Sequence, residues 1–158
     1  MSVEPIAPYL EPVRKSVRVA RPPAEAFSVF TEGIGRWWPL HAYSLGQARA
    51  VTCTLEGHAG GAIYEVDDQG RRAPWGHVIA WEPPRRLVMS WHPGQPAEAA
   101  QEVEVRFSAD GAGTLVELEH RGWQKLGAKA AEARAGYQDG WTDVLGVHFA
   151  QACAGVDA

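Results

Sequence analysis

The sequence predicts an α+β fold, in which a curved antiparallel sheet of about seven strands wraps around one long C-terminal helix. Three observations predict it. A strand-like stretch runs straight into a proline-initiated helix. Six further stretches between Ala48 and Arg121 carry strand patterning and are separated by turn signals. The chain then closes in a helical pattern. A curved meander can bury its concave face only against that final helix. The two layers diverge toward one end, leaving a lined space of the kind that receives small ligands.

The first strand is "VRKSVRVA" (Val13–Ala20), where Val13, Val17 and Val19 fall on one parity. "RPPAEAFSVFT" then begins a helix. A proline suits its first turn, Glu25 complements the N-terminal dipole, and Phe27 and Phe30 share a face. "GIGRWWPLH" gives at most a turn or two of a second helix, broken by Gly33, Gly35 and Pro39. Adjacent indoles cannot share one face, and Pro39 forces Trp38 extended. Trp37 is expected to anchor the segment on the body and Trp38 to form the mouth of the space, with the exchanged assignment and a plain core plug as the alternatives.

"ARAVTCTLE" and "GGAIYEV" form a pair around Gly57–Gly61, and "DDQG" (Asp67–Gly70) is a turn. "APWGHVIAW" and "RLVMSW" flank "EPPRR", whose prolines forbid strand continuation. "QEVEVRFSA" and "TLVELEH" flank the hairpin signal "DGAG". Alternation turns Leu87, Met89 and Trp91 inward, with Val103, Val105 and Phe107, and with Val116, Leu118 and His120. Glu102, Glu104, Glu117 and Glu119 then lie on a solvated outer face. In "WGHVIAW" two parities compete, Trp75/His77/Ile79/Trp81 against Val78/Ala80, and a bulge exchanges them. On a helical wheel centred on Trp141, residues Tyr137, Leu145, His148 and Ala152 lie within about 40°. Gly136 and Gly140 weaken the start, so the main helix is placed from about Asp139 to Cys153.

At 158 residues the chain fits one domain, over 13–154, with a proline-rich flexible arm at 1–12 and a short tail at 155–158. A formal charge of −4 without a basic cluster excludes nucleic-acid or anionic-membrane binding as a main role. No apolar run is long enough to span a bilayer, and the N-terminus lacks the pattern of a signal peptide, so a cytoplasmic protein is expected. Cys53 and Cys153 match no metal or redox spacing and read as reduced structural thiols. The six histidines have no ligand spacing, and no nucleophile elbow, phosphate loop or dinucleotide fingerprint is present. No metal and no cofactor are expected.

The order of elements, with "PPAEAFSVFTEGIGRWWP", "GGAIYEV", "WGHVIAWEPPRRLVMSW" and "GTLVELEHRGW", resembles the SRPBCC (START-like, helix-grip) superfamily. Within it, the chain is most similar to bacterial proteins resembling the C-terminal domain of the activator of the heat-shock protein 90 ATPase. The resemblance covers about Val13 to Ala154. It implies a helix-grip fold and an internal cavity, and no universal catalytic motif.

The resulting candidate ligand-binding residues are Trp38, Tyr64, Met89, Trp91, Phe107, Leu118, His120, Trp141, Leu145 and His148. Tryptophan and tyrosine join large apolar area to one hydrogen-bonding group, which suits planar ligands; the same residues also read as plain core. His120 and His148 occupy apolar-pattern positions, as acid–base groups or ligand anchors, or as satisfied structural histidines. Three functions follow. The first is binding of a small hydrophobic or aromatic molecule. The second, implied by the resemblance, is a co-chaperone-like module with a chaperone partner. The third is a cyclase- or hydrolase-like enzyme acting on a polyketide-like compound, with His120 or His148 as base.

Overall fold

The computed structural model describes residues 9–154. The seven strands are β1 (Val13–Val19), β2 (Ala50–Leu55), β3 (Ala62–Asp67), β4 (Arg72–Glu82), β5 (Arg86–Trp91), β6 (Gln101–Asp110) and β7 (Gly113–Arg121). They form one antiparallel sheet in the order β1-β7-β6-β5-β4-β3-β2. Strands β2 to β7 are a meander in chain order, and β1 joins it by pairing with β7 from Val13↔His120 to Val19↔Thr114. Of the expected arm, residues 1–8 lie outside the described residues, as does the tail at 155–158. The last part of the arm is held: Arg134 donates to the carbonyls of Glu11 and Pro12 at 2.6 and 3.4 Å.

Helix α1 (Pro23–Thr31) starts on a proline and buries Ala26, Phe27, Phe30 and Thr31. Helix α2 (Ile34–Trp37) is a single turn that ends where Trp38 becomes extended before Pro39. The C-terminal helix begins earlier than its glycines suggest. Helix α3 (Ala130–Asp143) passes through Gly136 and Gly140 and continues as a π-wound stretch, Val144–Phe149, into a last turn, α4 (Ala150–Cys153). Each helical glycine costs about 1 kcal/mol relative to alanine. Burial of Trp141, Val144, Leu145 and Phe149 along the same helix outweighs that.

Inner side chains of the sheet and the buried face of the C-terminal helix share one core. The competing parities of β4 are resolved by two register shifts, one near Trp75 and one near Ile79. They turn Trp75, Val78 and Trp81 inward at spacings of three, while His77 and Ile79 are exposed. The Ser90 hydroxyl takes up the displaced His77 N–H at 2.9 Å. On the outer face Glu104 differs from the solvated carboxylate expected, because it is buried beneath arginines. Arg86 and Arg121 bind it at 2.7 and 2.6 Å. Burial alone would raise its pKa; the two guanidiniums more than offset this and hold it below the usual range. Cys53 and Cys153 are free and buried, and burial pushes their thiols up to about 12 and about 11. Among the described residues no helix is long and apolar enough to cross a membrane.

At the first shift, a Cβ on Gly76 would run into the carbonyl of Ser90 on β5. Gly76→Ala is expected to destabilise the fold by about 1–3 kcal/mol, as overpacking does in a tight interior. Denaturant unfolding checks this, and a loss below about 0.5 kcal/mol, the ordinary surface value, would contradict it.

Candidate functional site

A cavity of about 340 Å³ lies between the sheet, α3 and the segment following Pro39. Trp38, Trp75, Trp91 and Trp141 wall it, with Tyr137, Gly136 and Gly140 from the helix and Tyr43, Ser44 and Leu45 from the covering segment. Neighbouring indoles meet at centroid distances of 5.0 Å (Trp38–Trp75) to 5.8 Å (Trp38–Trp141). Among the described residues no charged side chain lines this space. Nor do three or more of the metal-ligating types, His, Cys, Asp and Glu, gather anywhere among them.

All four indole N–H groups have acceptors within the chain. Trp38 Nε1 donates to the Tyr43 carbonyl at 2.8 Å and Trp75 Nε1 to Glu65 Oε1 at 2.7 Å. Trp91 Nε1 donates to the Tyr137 hydroxyl at 3.2 Å and Trp141 Nε1 to His120 Nδ1 at 3.0 Å. Because Nδ1 accepts, the His120 proton sits on Nε2, which faces Gln101 Oε1 at 3.2 Å. The ring is fully buried and stacks on Trp123 at 4.1 Å. Burial pushes its pKa down to about 3, so it is neutral.

Glu65 organises the covering segment. Only 2% exposed, it shares the inner parity of β3 with Ile63. Besides the Trp75 N–H, its carboxylate accepts the backbone N–H groups of Leu45 and Gly46 at 2.7 and 2.8 Å. Those three hydrogen bonds hold the segment over the cavity.

Of the residues expected to meet a ligand, Trp38, Trp91 and Trp141 stand on the cavity wall. Met89, Phe107, Leu118 and Leu145 are buried in the core and do not line it. Tyr64 corrects the expectation: β3 alternation turns it to the opposite side from Glu65, where the Arg72 guanidinium sits 4.3 Å from its ring centre. His120 lies behind Trp141 rather than at the wall, as a satisfied structural histidine. His148 is half-exposed and 3.5 Å from Asp143. The π winding explains this: each residue advances the helix by less than an α residue does, so the inner face passes to Phe149. His120 is neutral and enclosed and His148 lies outside, and neither lines the cavity.

Trp38 also departs from a loose mouth. It and Trp37 are each 8% exposed. Trp37 packs on Phe30 and Phe149 at 5.5 and 5.3 Å, whereas Trp38 packs among the other cavity indoles. Residues missed by the sequence reading are Glu65, Trp75, Tyr137 and the covering Tyr43, Ser44 and Leu45. Parity with Ile63 was the available signal for Glu65, and the helical wheel for Tyr137. The covering segment carries no pattern.

Two outcomes are expected. Trp37→Ala and Trp38→Ala should each cost about 3–5 kcal/mol, visible as a large fall in melting temperature, and a small loss at Trp38 would restore the mouth reading. The second outcome follows from His120. Its folded pKa lies below the unfolded 6.5, so its contribution is complete above pH 6.5 and declines as pH falls toward 3. From pH 7 to pH 5 this group alone removes about 2 kcal/mol. Stability measured against pH should be flatter across that window in His120→Gln; equal slopes would contradict it.

The sequence profile of the Activator of Hsp90 ATPase homolog 1-like proteins matches residues 20–153. No curated protein matches the chain. Among solved structures it is similar to CalC, a self-sacrificing resistance protein from Micromonospora echinospora, with 31% identity, 94% of this chain and 98% of that one covered, and a TM-score of 0.69. It is similar to the anthrahydroquino-γ-pyrone synthase Txn09 at 32% identity, covering 91% and 97% of the two chains with a TM-score of 0.62. The Aha1 dimer from Colwellia psychrerythraea shares the fold at 14% identity, with 92% and 98% covered and a TM-score of 0.62. The chain belongs to the Activator of Hsp90 ATPase homolog 1-like family, within the SRPBCC superfamily.

Proposed function

We propose that this chain binds a small, planar, hydrophobic aromatic molecule between its cavity tryptophans. The observation that carries the reading is the wall itself: four indoles whose N–H groups already have partners, presenting ring faces and edges to an uncharged space of about 340 Å³. That volume falls at the small end of the range for ligand sites. Offset and edge-on ring contacts are what such a wall provides, at about 0.5–1.5 kcal/mol each beyond area burial. One relative above 30% identity is by name an anthrahydroquino-γ-pyrone synthase, which supports a fused-ring aromatic as the ligand class. The tetrad is rigid, since each ring is fixed by its own hydrogen bond, so little ordering cost is left for the moment of binding.

Gly136 separates this reading from a plain aromatic core. It lines the cavity, lies in regular α3, and has open space where a side chain would stand. Gly136→Leu is therefore expected to stabilise the helix by up to about 1 kcal/mol while filling the site. Equilibrium dialysis against fluorene should show measurable binding by the wild-type chain and at least a tenfold loss in the variant. Native mass spectrometry of the freshly purified protein tests for a retained small molecule. Undiminished fluorene binding by Gly136→Leu would remove this cavity as the site.

A further inference from the structure

The tryptophans leave a ligand no N–H to bind, and no charged side chain lines the cavity among the described residues. The polar side-chain atoms at its wall belong to Tyr43, Ser44 and Tyr137. The Ser44 hydroxyl accepts the Gln47 N–H at 2.8 Å, and Tyr43 is partly exposed at the opening, beside Asp143. Neither the Ser44 hydrogen nor that of Tyr137 has an acceptor among the described residues; Tyr137 differs in the packing of its ring against the core. Its hydroxyl accepts from Trp91 at 3.2 Å, and among the described residues no acceptor lies within bonding distance of its own hydrogen.

A phenol can donate one hydrogen bond and accept others. Here the accepting side is engaged and the donating side is open. The ring that carries it is clamped: His120 meets it edge-on at 4.6 Å, Trp123 at 5.7 Å, and Trp141 stacks at 6.3 Å. Its hydroxyl therefore has a fixed position. Burial raises the phenol's pKa above its ordinary value, so the group keeps its proton throughout the neutral range.

We propose that Tyr137 is the polar anchor of the cavity, donating a hydrogen bond to a carbonyl-type oxygen on an otherwise apolar, uncharged fused-ring ligand. The inference rests on the cavity being a ligand site and names the one functional group its occupant carries. A charged ligand is disfavoured because its buried charge would meet no counter-charge. A bare hydrocarbon is disfavoured because it covers a half-buried donor without pairing it, and sites built to hydrogen-bond discriminate on that ground. A carbonyl suits a wall whose free polar groups are hydroxyl hydrogens, since it brings lone pairs and no hydrogen of its own.

The test compares 9-fluorenone with fluorene, two tricyclic probes of nearly one shape that differ in a single carbonyl. Affinities of both are measured by equilibrium dialysis in the wild-type chain and in Tyr137→Phe. The ratio of fluorenone to fluorene affinity cancels differences in hydration between the probes. That ratio is expected to be roughly three- to tenfold larger in the wild type, the worth of one neutral hydrogen bond. The infrared carbonyl band of bound fluorenone should lie at lower wavenumber in the wild type than in an apolar solvent. This second readout needs no variant, so an unshifted band overturns the anchor role even if Tyr137→Phe fails to fold, and persistence of the shift in Ser44→Ala assigns it away from the Ser44 hydroxyl. Equal ratios in the two proteins, or an unshifted wild-type band, overturn the anchor role while fluorene binding keeps the ligand site standing. Binding of neither probe by the wild type overturns both.

Discussion

An indole can be buried without penalty only if its one N–H finds an acceptor, and this molecule buries four of them around a single space. The acceptors come from separate parts of the chain: the covering segment through the Tyr43 carbonyl, β3 through Glu65, β7 through His120, and α3 through Tyr137. Each tryptophan is thus a strut between two elements. Sheet, helix and cover are fastened to one another through the same rings that wall the cavity. Removing any one partner would leave a buried donor unpaired, at about 1–3 kcal/mol.

Polar groups on the two faces of the sheet solve different problems. On the outer face Glu104 is ionised and surrounded by guanidiniums, and charge is matched by charge. Inside, matching is by hydrogen-bond count. His120 is neutral and accepts on one nitrogen and donates on the other. Among the described residues Glu65 has no cation as a hydrogen-bond partner, only one indole and two backbone N–H groups. That geometry lets a carboxylate sit at an inner strand position without a basic residue near the ligand space.

How much of this was legible in the sequence depends on periodicity. Strands β5, β6 and β7 alternate without interruption, and their inner residues were read as they stand, from Leu87 to His120. Reading failed where the period changes. In β4 two register shifts place inward residues three apart, a spacing that resembles a helix turn more than a strand. In the C-terminal helix the π-wound stretch moves Phe149 in and His148 out, after a wheel built on α geometry had agreed with the earlier Trp141 and Leu145. In β3 a charged residue holds the inner position and the aromatic Tyr64 the outer one, against the usual preference. Such a swap is intelligible only once the donors from Leu45, Gly46 and Trp75 are in view, and two of those come from a segment with no pattern at all.

Close spacing of the cavity indoles also governs what the molecule does with light. The centroids of five of their six pairs lie 5.0–5.8 Å apart, inside the range over which one excited tryptophan passes its energy to another. Excitation absorbed by any ring of the set is shared among all four before emission, which depolarises the fluorescence. Electronic coupling between the rings adds paired bands of opposite sign to the ultraviolet dichroism. A molecule touching one ring perturbs the emission of the whole set, so the wall of the cavity is its own optical reporter.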